Sequence, residues 1–234
     1  LDRTEFDTVR AAAPTGSLMH DLDADDGYRL VKNASKRVLK KGSEIFQQGD
    51  KGDFAGLILS GAIKVCTYCN SGREIVYAYL SVGDVVGELS ALDGAPRTAT
   101  AAVIEKGEIA IIPRTDLHSV LFDEPRIAIQ IIENLCLRLR NTNALLESDR
   151  GSATGPRLAR GILRLLREHG VENSGVERVG FKISQGDLGS FVSLSRENVN
   201  RQLHEWVDDN IVALASGRVD VLNREALEEI ADCY

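Results

Sequence analysis

The densest chemistry in the chain lies between residues 86 and 100, which read Val86-Gly87-Glu88-Leu89-Ser90-Ala91-Leu92-Asp93-Gly94-Ala95-Pro96-Arg97-Thr98-Ala99-Thr100. Gly87 permits close backbone approach, Glu88 can accept two hydroxyl hydrogen bonds, and Arg97 offers a planar fork of donors to a phosphate, with the Thr98 hydroxyl beside it. A carboxylate beside a bound phosphate is repelled, so Glu88 and Arg97 must address different ends of one ligand, and a sugar phosphate satisfies both. The competing reading of these residues alone is a surface ion pair in a loop. As a cassette residue Arg97 is expected at the surface, where it should matter little to the core. A second cluster, Ser195-Arg196-Glu197-Asn198-Val199-Asn200-Arg201, sets two forked cations and an acid on one turn and a half of a helix. Arg can bond guanine O6 and N7, and Glu can accept from cytosine N4. Alternatively, Glu197 and Arg201 form an ordinary i, i+4 ion pair.

The other reactive residue types carry less. Cys66 and Cys69 form a C-x-x-C that could bind metal or oxidise, but Cys136 and Cys233 are distant from it. The four histidines, His20, His118, His169 and His204, lack ligand spacing, and no G-x-S-x-G, P-loop or dinucleotide glycine run is present, so no metal site and no enzyme are expected.

Elements must position these clusters. Glycines at 42, 49, 52, 56, 61, 72, 83, 87, 94 and 107 separate short Val-, Ile-, Leu- and Tyr-rich runs, the pattern of an antiparallel sandwich or barrel. Residues 62–68 and 73–80 read as a hairpin, with Ile75, Tyr77 and Tyr79 at period two. Residues 1–35 are acidic and less patterned, and predict short helices or a loose arm. Pro125 suits a helix first turn, and no Gly or Pro follows until Gly151, so a helix over 124–150 is expected. Ala128, Ile132, Leu135, Leu139, Thr142 and Leu146 recur at spacings of 4, 3, 4, 3 and 4, a seam that predicts a homodimer. Residues 151–156, Gly-Ser-Ala-Thr-Gly-Pro, read as a hinge. Beyond it, Ser184 with Asp187 opens one short helix and Ser195 caps a second, joined by a tight connection at 193–195: a helix-turn-helix. Residues 212–221 read as a closing hairpin, and Asn223 begins a last helix.

Charge supports this division. The whole chain carries −7, and its longest apolar runs are far too short for a bilayer span. Residues 156–201, however, hold eight basic and five acidic residues, a net +3, against −6 for 202–234. Positive potential is thus concentrated where a helix-turn-helix would face DNA, and the run Arg157, Arg160, Arg164 and Arg167 beside it is a candidate phosphate-contacting face. Few cysteines and no export pattern at the start predict a cytoplasmic protein without membrane association.

Gly87-Glu88-Leu89 followed by Arg97-Thr98-Ala99 resembles the phosphate-binding cassette of cyclic-nucleotide-binding domains. Residues 183–201 resemble the helix-turn-helix of the cyclic-AMP receptor/fumarate-nitrate regulator (CRP/FNR) family of bacterial transcription regulators. The resemblance implies an α+β chain: an antiparallel β-roll with its N-terminal arm at 1–123, a dimerisation helix at 124–150, a hinge at 151–156 and a winged helix-turn-helix at 157–234. It implies cyclic AMP, with cyclic GMP close behind, as an allosteric ligand. Glu88 would hold the ribose 2′-hydroxyl, Arg97 and Thr98 with the backbone of Gly87 and Leu89 the cyclic phosphate, Arg138 would pair with Glu88, and Thr142 and Asn143 would meet the purine. Thr142 could instead fix only the helix register. The resemblance further implies that the dimer reads palindromic double-stranded DNA with TGTGA-like half-sites through Ser195, Arg196, Glu197, Asn200 and Arg201. RNA polymerase would be contacted through residues 171–179. A family member gated by redox or metal chemistry at Cys66 and Cys69, and a nucleotide-binding adaptor acting through protein contacts, are the alternatives.

Overall fold

The computed structural model of this chain describes residues 1–14, 17–69, 72–148, 153–173 and 175–233, with the side chains of 137, 138, 141–148 and 173 outside that description. It divides into two compact units, Leu1–Thr67 with Ala78–Arg140 and Tyr68–Tyr77 with Asn141–Tyr234.

The first unit opens with three helices, α1 (Arg3–Ala12), α2 (Leu18–Asp21) and α3 (Ala24–Val31). Asp2, Ser17 and Asp23 start them by accepting from the N–H groups of Glu5, His20 and Asp25, which satisfies donors that a helix start leaves free. These helices are not a loose arm. Phe6 and Met19 are fully buried and Leu22 nearly so, in one core with Leu57, Ala110, Ile112 and Leu117. The weak sequence pattern reflects short helices with few turns over which a period can be read.

The strands follow: β1 (Ser35–Leu39), β2 (Glu44–Phe46), β3 (Phe54–Tyr68), β4 (Glu74–Leu80), β5 (Val85–Val86) and β6 (Thr100–Pro113). They form one antiparallel sheet in the order β1-β6-β3-β4, with β2 also on β6 and β5 also on β3. Strands this long must bend, and register shifts between Ile58, Ser60, Ala62 and Ile63 mark where β3 does so. Gly61 turns there at φ +83°, and a Cβ on facing Gly107 would lie 1.9 Å from the Ser60 carbonyl oxygen, so the crossing admits only glycine. Phe46, Ile58, Ile63, Val86, Val103 and Ile109 fill a second core. The predicted hairpin is present, but its first strand begins at Phe54, and Tyr79 is buried while Tyr77 is 53% exposed. The period-two reading of 75–79 therefore does not describe one buried face.

Between strands lies α4 (Glu88–Asp93), and after them α5 (Arg114–Asp123) and α6 (Pro125–Ser148). Ile127 and Ile131 of α6 pack into the first core, whereas Ile129, Ile132 and Leu139 are 57%, 58% and 61% exposed. One apolar face of α6 is thus covered by the core and another is exposed.

The second unit contains α7 (Thr154–His169), β7 (Gly170–Asn173), β8 (Val176–Val179), α8 (Gln185–Val192), α9 (Arg196–Asp208), β9 (Val212–Ala215), β10 (Arg218–Val221) and α10 (Arg224–Asp232). Its sheet runs β7-β8-β10-β9, all antiparallel. Leu158, Ile162 and Leu165 of α7 pack with buried Leu188, Val199, Leu203 and Trp206 as its interior. Because α7 begins at Thr154, Pro156 of the predicted hinge sits in its first turn, where a proline's missing N–H costs nothing. Residues 151 and 152 of that hinge lie outside the described residues.

Candidate functional site

Arg97 occupies the centre of the first cluster. Strand pairing brings β2 and β3 alongside β6, just before which Arg97 lies, and its backbone is pinned to the neighbouring turn from both sides. Its N–H donates to the Asp50 carbonyl at 2.8 Å, and its carbonyl accepts from Gly49 at 2.9 Å. The side chain is 2% exposed. Nη1 donates to the Gly87 carbonyl and Nη2 to the Phe54 carbonyl, both at 2.8 Å. The guanidinium carbon lies 4.1 Å from the Phe46 ring centroid and 4.5 Å from that of Phe54, so the cation rests against two aromatic rings. Gly87, at φ +76°, makes this possible, because a Cβ there would fall 2.5 Å from Nη1. Arg97 is thus part of the packed interior and not the surface cassette residue expected from the sequence, because Phe46 and Phe54 of distant strands close over it. The surface ion pair is absent as well: no carboxylate among the described residues lies within ion-pair distance of Arg97.

The electrostatics of this position are unusual. Burial pushes the Arg97 pKa below the ordinary arginine value, partly offset by attraction to Asp53, Asp50 and Glu88. Its Nε–H is buried without a hydrogen-bond partner. A guanidinium has five N–H donors, and here two carbonyls fix the fork while the Nε–H is shielded from solvent. Burying a cation without an anion in contact is costly.

The other cassette residues surround it. Glu88 is half-buried in the first turn of α4, Leu89 is 44% exposed and Thr98 is exposed. Arg138, Thr142 and Asn143 belong to α6, and their side chains lie outside the described residues. Phe46 and Phe54 went unnoticed in the sequence. No local spacing reveals them, since Phe54 is 43 residues from Arg97 and meets it only through the sheet. Cys66 is fully buried within β3 and Cys69 half-buried just beyond it, and neither forms a disulfide among the described residues. No group of three or more His, Cys, Asp or Glu among the described residues is placed to hold a metal.

In the second unit, Ser184 Oγ accepts from Asp187 N at 3.0 Å and Ser195 Oγ from Asn198 N at 3.2 Å, so both predicted caps start their helices. The turn between them passes through Ser193 in the left-handed region at φ +56°. Val199, Leu203 and Trp206 bury one face of α9 and leave Arg196, Glu197, Asn200 and Arg201 exposed together on the rest. Backbone N–H bonding at the helix start, then the Ser195 hydroxyl, hold the Glu197 carboxyl below its ordinary pKa. Arg201 turns to Asn198 Oδ1 at 3.5 Å and makes no ion pair with Glu197. The run of arginines on α7 is largely committed elsewhere. Arg160 donates to the Ala231 carbonyl, Arg164 stacks 4.3 Å from the Phe191 ring centroid and pairs with Glu168, and Arg157 is half-buried. Only Arg167 of the four is exposed, so that face is mostly structural.

These two sites have counterparts in known proteins. Residues 36–124 match the cyclic nucleotide-binding domain family, and residues 156–230 match the Crp-like helix-turn-helix domain. The chain is 30% identical over 198 residues to the CRP-like cAMP-activated global transcriptional regulator of Mycobacterium tuberculosis, covering 85% of this chain and 88% of that protein. It is also 30% identical over 214 residues to the cyclic AMP receptor protein of Thermus thermophilus, covering 92% and 96%. This chain belongs to the CRP/FNR family of transcription regulators. Its fold matches the structure of FixK2 from Bradyrhizobium japonicum at a TM-score of 0.75 and 19% identity, covering 86% of this chain and 98% of that one. As a CRP/FNR regulator it combines a nucleotide-binding β-rich domain with a DNA-binding helix-turn-helix, in an α+β chain. No helix among the described residues is long and apolar enough to cross a membrane.

Proposed function

We propose that this regulator is a homodimer that binds cyclic AMP, with cyclic GMP as the closest competitor, and in that state binds palindromic DNA with TGTGA-like half-sites. The observation that carries the ligand is the buried Arg97 guanidinium, fixed by two carbonyls, with a free Nε–H and no carboxylate in contact. A cyclic phosphodiester would supply an anion for the guanidinium, and its ribose would supply hydroxyls for the Glu88 carboxylate across the ligand. Exposed Thr98 adds a hydroxyl to the phosphate. The names of the Mycobacterium tuberculosis and Thermus thermophilus relatives support cyclic AMP.

The second copy covers Ile132 and Leu139, which lie seven residues apart and exposed on α6, the spacing of a two-helix seam. Arg138, Thr142 and Asn143 on the same helix complete the pocket around ribose and purine. A ligand in contact with both the sheet domain and α6 favours one arrangement of the helix pair, which differential contact makes an allosteric effect. The paired α9 helices then present Arg196, Glu197, Asn200 and Arg201 to successive major grooves about 34 Å apart. The β7–β8 hairpin is the contact for RNA polymerase.

Titration of the purified protein with cyclic AMP and cyclic GMP by calorimetry, each with and without a TGTGA palindrome, tests the reading. Saturable binding of one nucleotide per chain and tighter DNA binding in its presence are expected. Absence of binding by both nucleotides overturns it.

A further inference from the structure

The six-residue helix α4 is gripped at both ends. Before its first turn, the Gly87 carbonyl accepts from Arg97 Nη1 at 2.8 Å. In its last turn, the Ala91 carbonyl accepts from two side chains of α5, Arg114 Nε at 3.0 Å and His118 Nε2 at 2.9 Å. A carbonyl has no hydrogen, so His118 presents Nε2–H here. The final carbonyls of a helix ordinarily find water or a cap, and two side-chain donors from one neighbouring helix on a single oxygen form a specific joint. Arg114 also lies directly against the following turn, where a Cβ on Gly94 would sit 3.1 Å from Nη2.

The other end of α5 is tied just as closely to α6. Glu124 alone separates the helices, and backbone bonds cross it: Glu124 N–H donates to the Val120 carbonyl, and Ile127 N–H to the Glu124 carbonyl. Arg126, in the first turn of α6, pairs with the buried Asp26 of α3 at 2.6 Å and with Glu124 at 3.6 Å, while Arg29 of α3 also pairs with Glu124. Helices α5 and α6 are therefore linked through Glu124, and α5, whose first residue also donates its backbone N–H to the Asp53 carbonyl, meets α4 at the Ala91 carbonyl.

We propose that Arg114 and His118 are positioning residues that convert occupancy of the Arg97 site into displacement of α5 and the start of α6. A ligand that draws on Arg97 acts on Gly87 and hence on α4. The doubly held Ala91 carbonyl passes that movement to α5, and the short Glu124 link passes it to α6. The proposal rests on the reading of Arg97 as the ligand's anchor.

The test compares His118→Ala with His118→Gln, whose amide can still donate to Ala91, and with an Arg114→Ala, His118→Ala double variant. For His118→Ala, cyclic AMP affinity should stay within about threefold of wild type while the factor by which cyclic AMP tightens DNA binding falls at least about fivefold. His118→Gln should recover most of that factor, which a merely structural defect would not predict. An unchanged factor in both His118→Ala and the double variant overturns the joint. Should wild-type protein bind neither cyclic nucleotide, the anchor reading fails, and the joint is judged separately by hydrogen exchange without ligand. His118→Ala should then speed exchange in the last turn of α4 and the first two turns of α6, and unchanged exchange there overturns it.

Discussion

The cassette and the recognition helix each rely on an arginine, and the two arginines live in opposite surroundings. Arg97 is 2% exposed, pressed against two phenylalanine rings and fixed by two backbone carbonyls. Arg196 is exposed in the first turn of α9, and none of its bonds or ion pairs is among those that hold the domain together. The fold fixes the first arginine in place, at the expense of a desolvated charge. The second keeps its charge hydrated, so on the proposed reading its final geometry comes from DNA. Binding and folding are therefore entangled at Arg97 and separable at Arg196.

The largest effect should come from breaking the first half of this contrast. Arg97→Ala should abolish cyclic nucleotide binding in calorimetry and, because it strands the Gly87 and Phe54 carbonyls, destabilise the domain by about 1–3 kcal/mol in chemical denaturation. Unaltered stability would show that the guanidinium is as dispensable to the fold as an exposed one. Arg196→Ala should cost about 1–3 kcal/mol in DNA affinity, concentrated at one base pair of each half-site, with the melting temperature unmoved. A uniform loss across base substitutions would make Arg196 a phosphate contact. The smallest effect belongs to Glu197. Its folded pKa is below the ordinary value, so its contribution to stability is present above that value and lost as pH falls through the folded pKa. The stability gap between wild type and Glu197→Gln should accordingly close on acidification in that window, and a gap that persists at lower pH would refute the helix-terminus explanation.

Features written in short-range sequence were legible: the caps at Ser184 and Ser195 and the buried face of Val199, Leu203 and Trp206. Each depends on neighbours within a few residues, where spacing maps directly onto geometry. Long-range pairing was not legible. The Phe46 and Phe54 rings around Arg97, the joint of Arg114 and His118 at Ala91, and the diversion of Arg160 and Arg164 into packing arise only when distant segments meet. Sequence spacing also allowed an ion pair between Glu197 and Arg201, whereas the Ser195 cap draws in Glu197 and leaves Arg201 to Asn198.

The family match to the nucleotide-binding domain begins at residue 36, yet Phe6, Met19, Leu22, Leu30 and Val31 are buried against the same core as Leu57, Ile112 and Ile127. A fragment trimmed to the matched boundary would strip that cover and leave a broad greasy surface facing water, with buried Asp26 no longer there to meet Arg126. Insolubility of such a fragment would then reflect where it was cut, and would carry no information about whether the pocket takes a nucleotide.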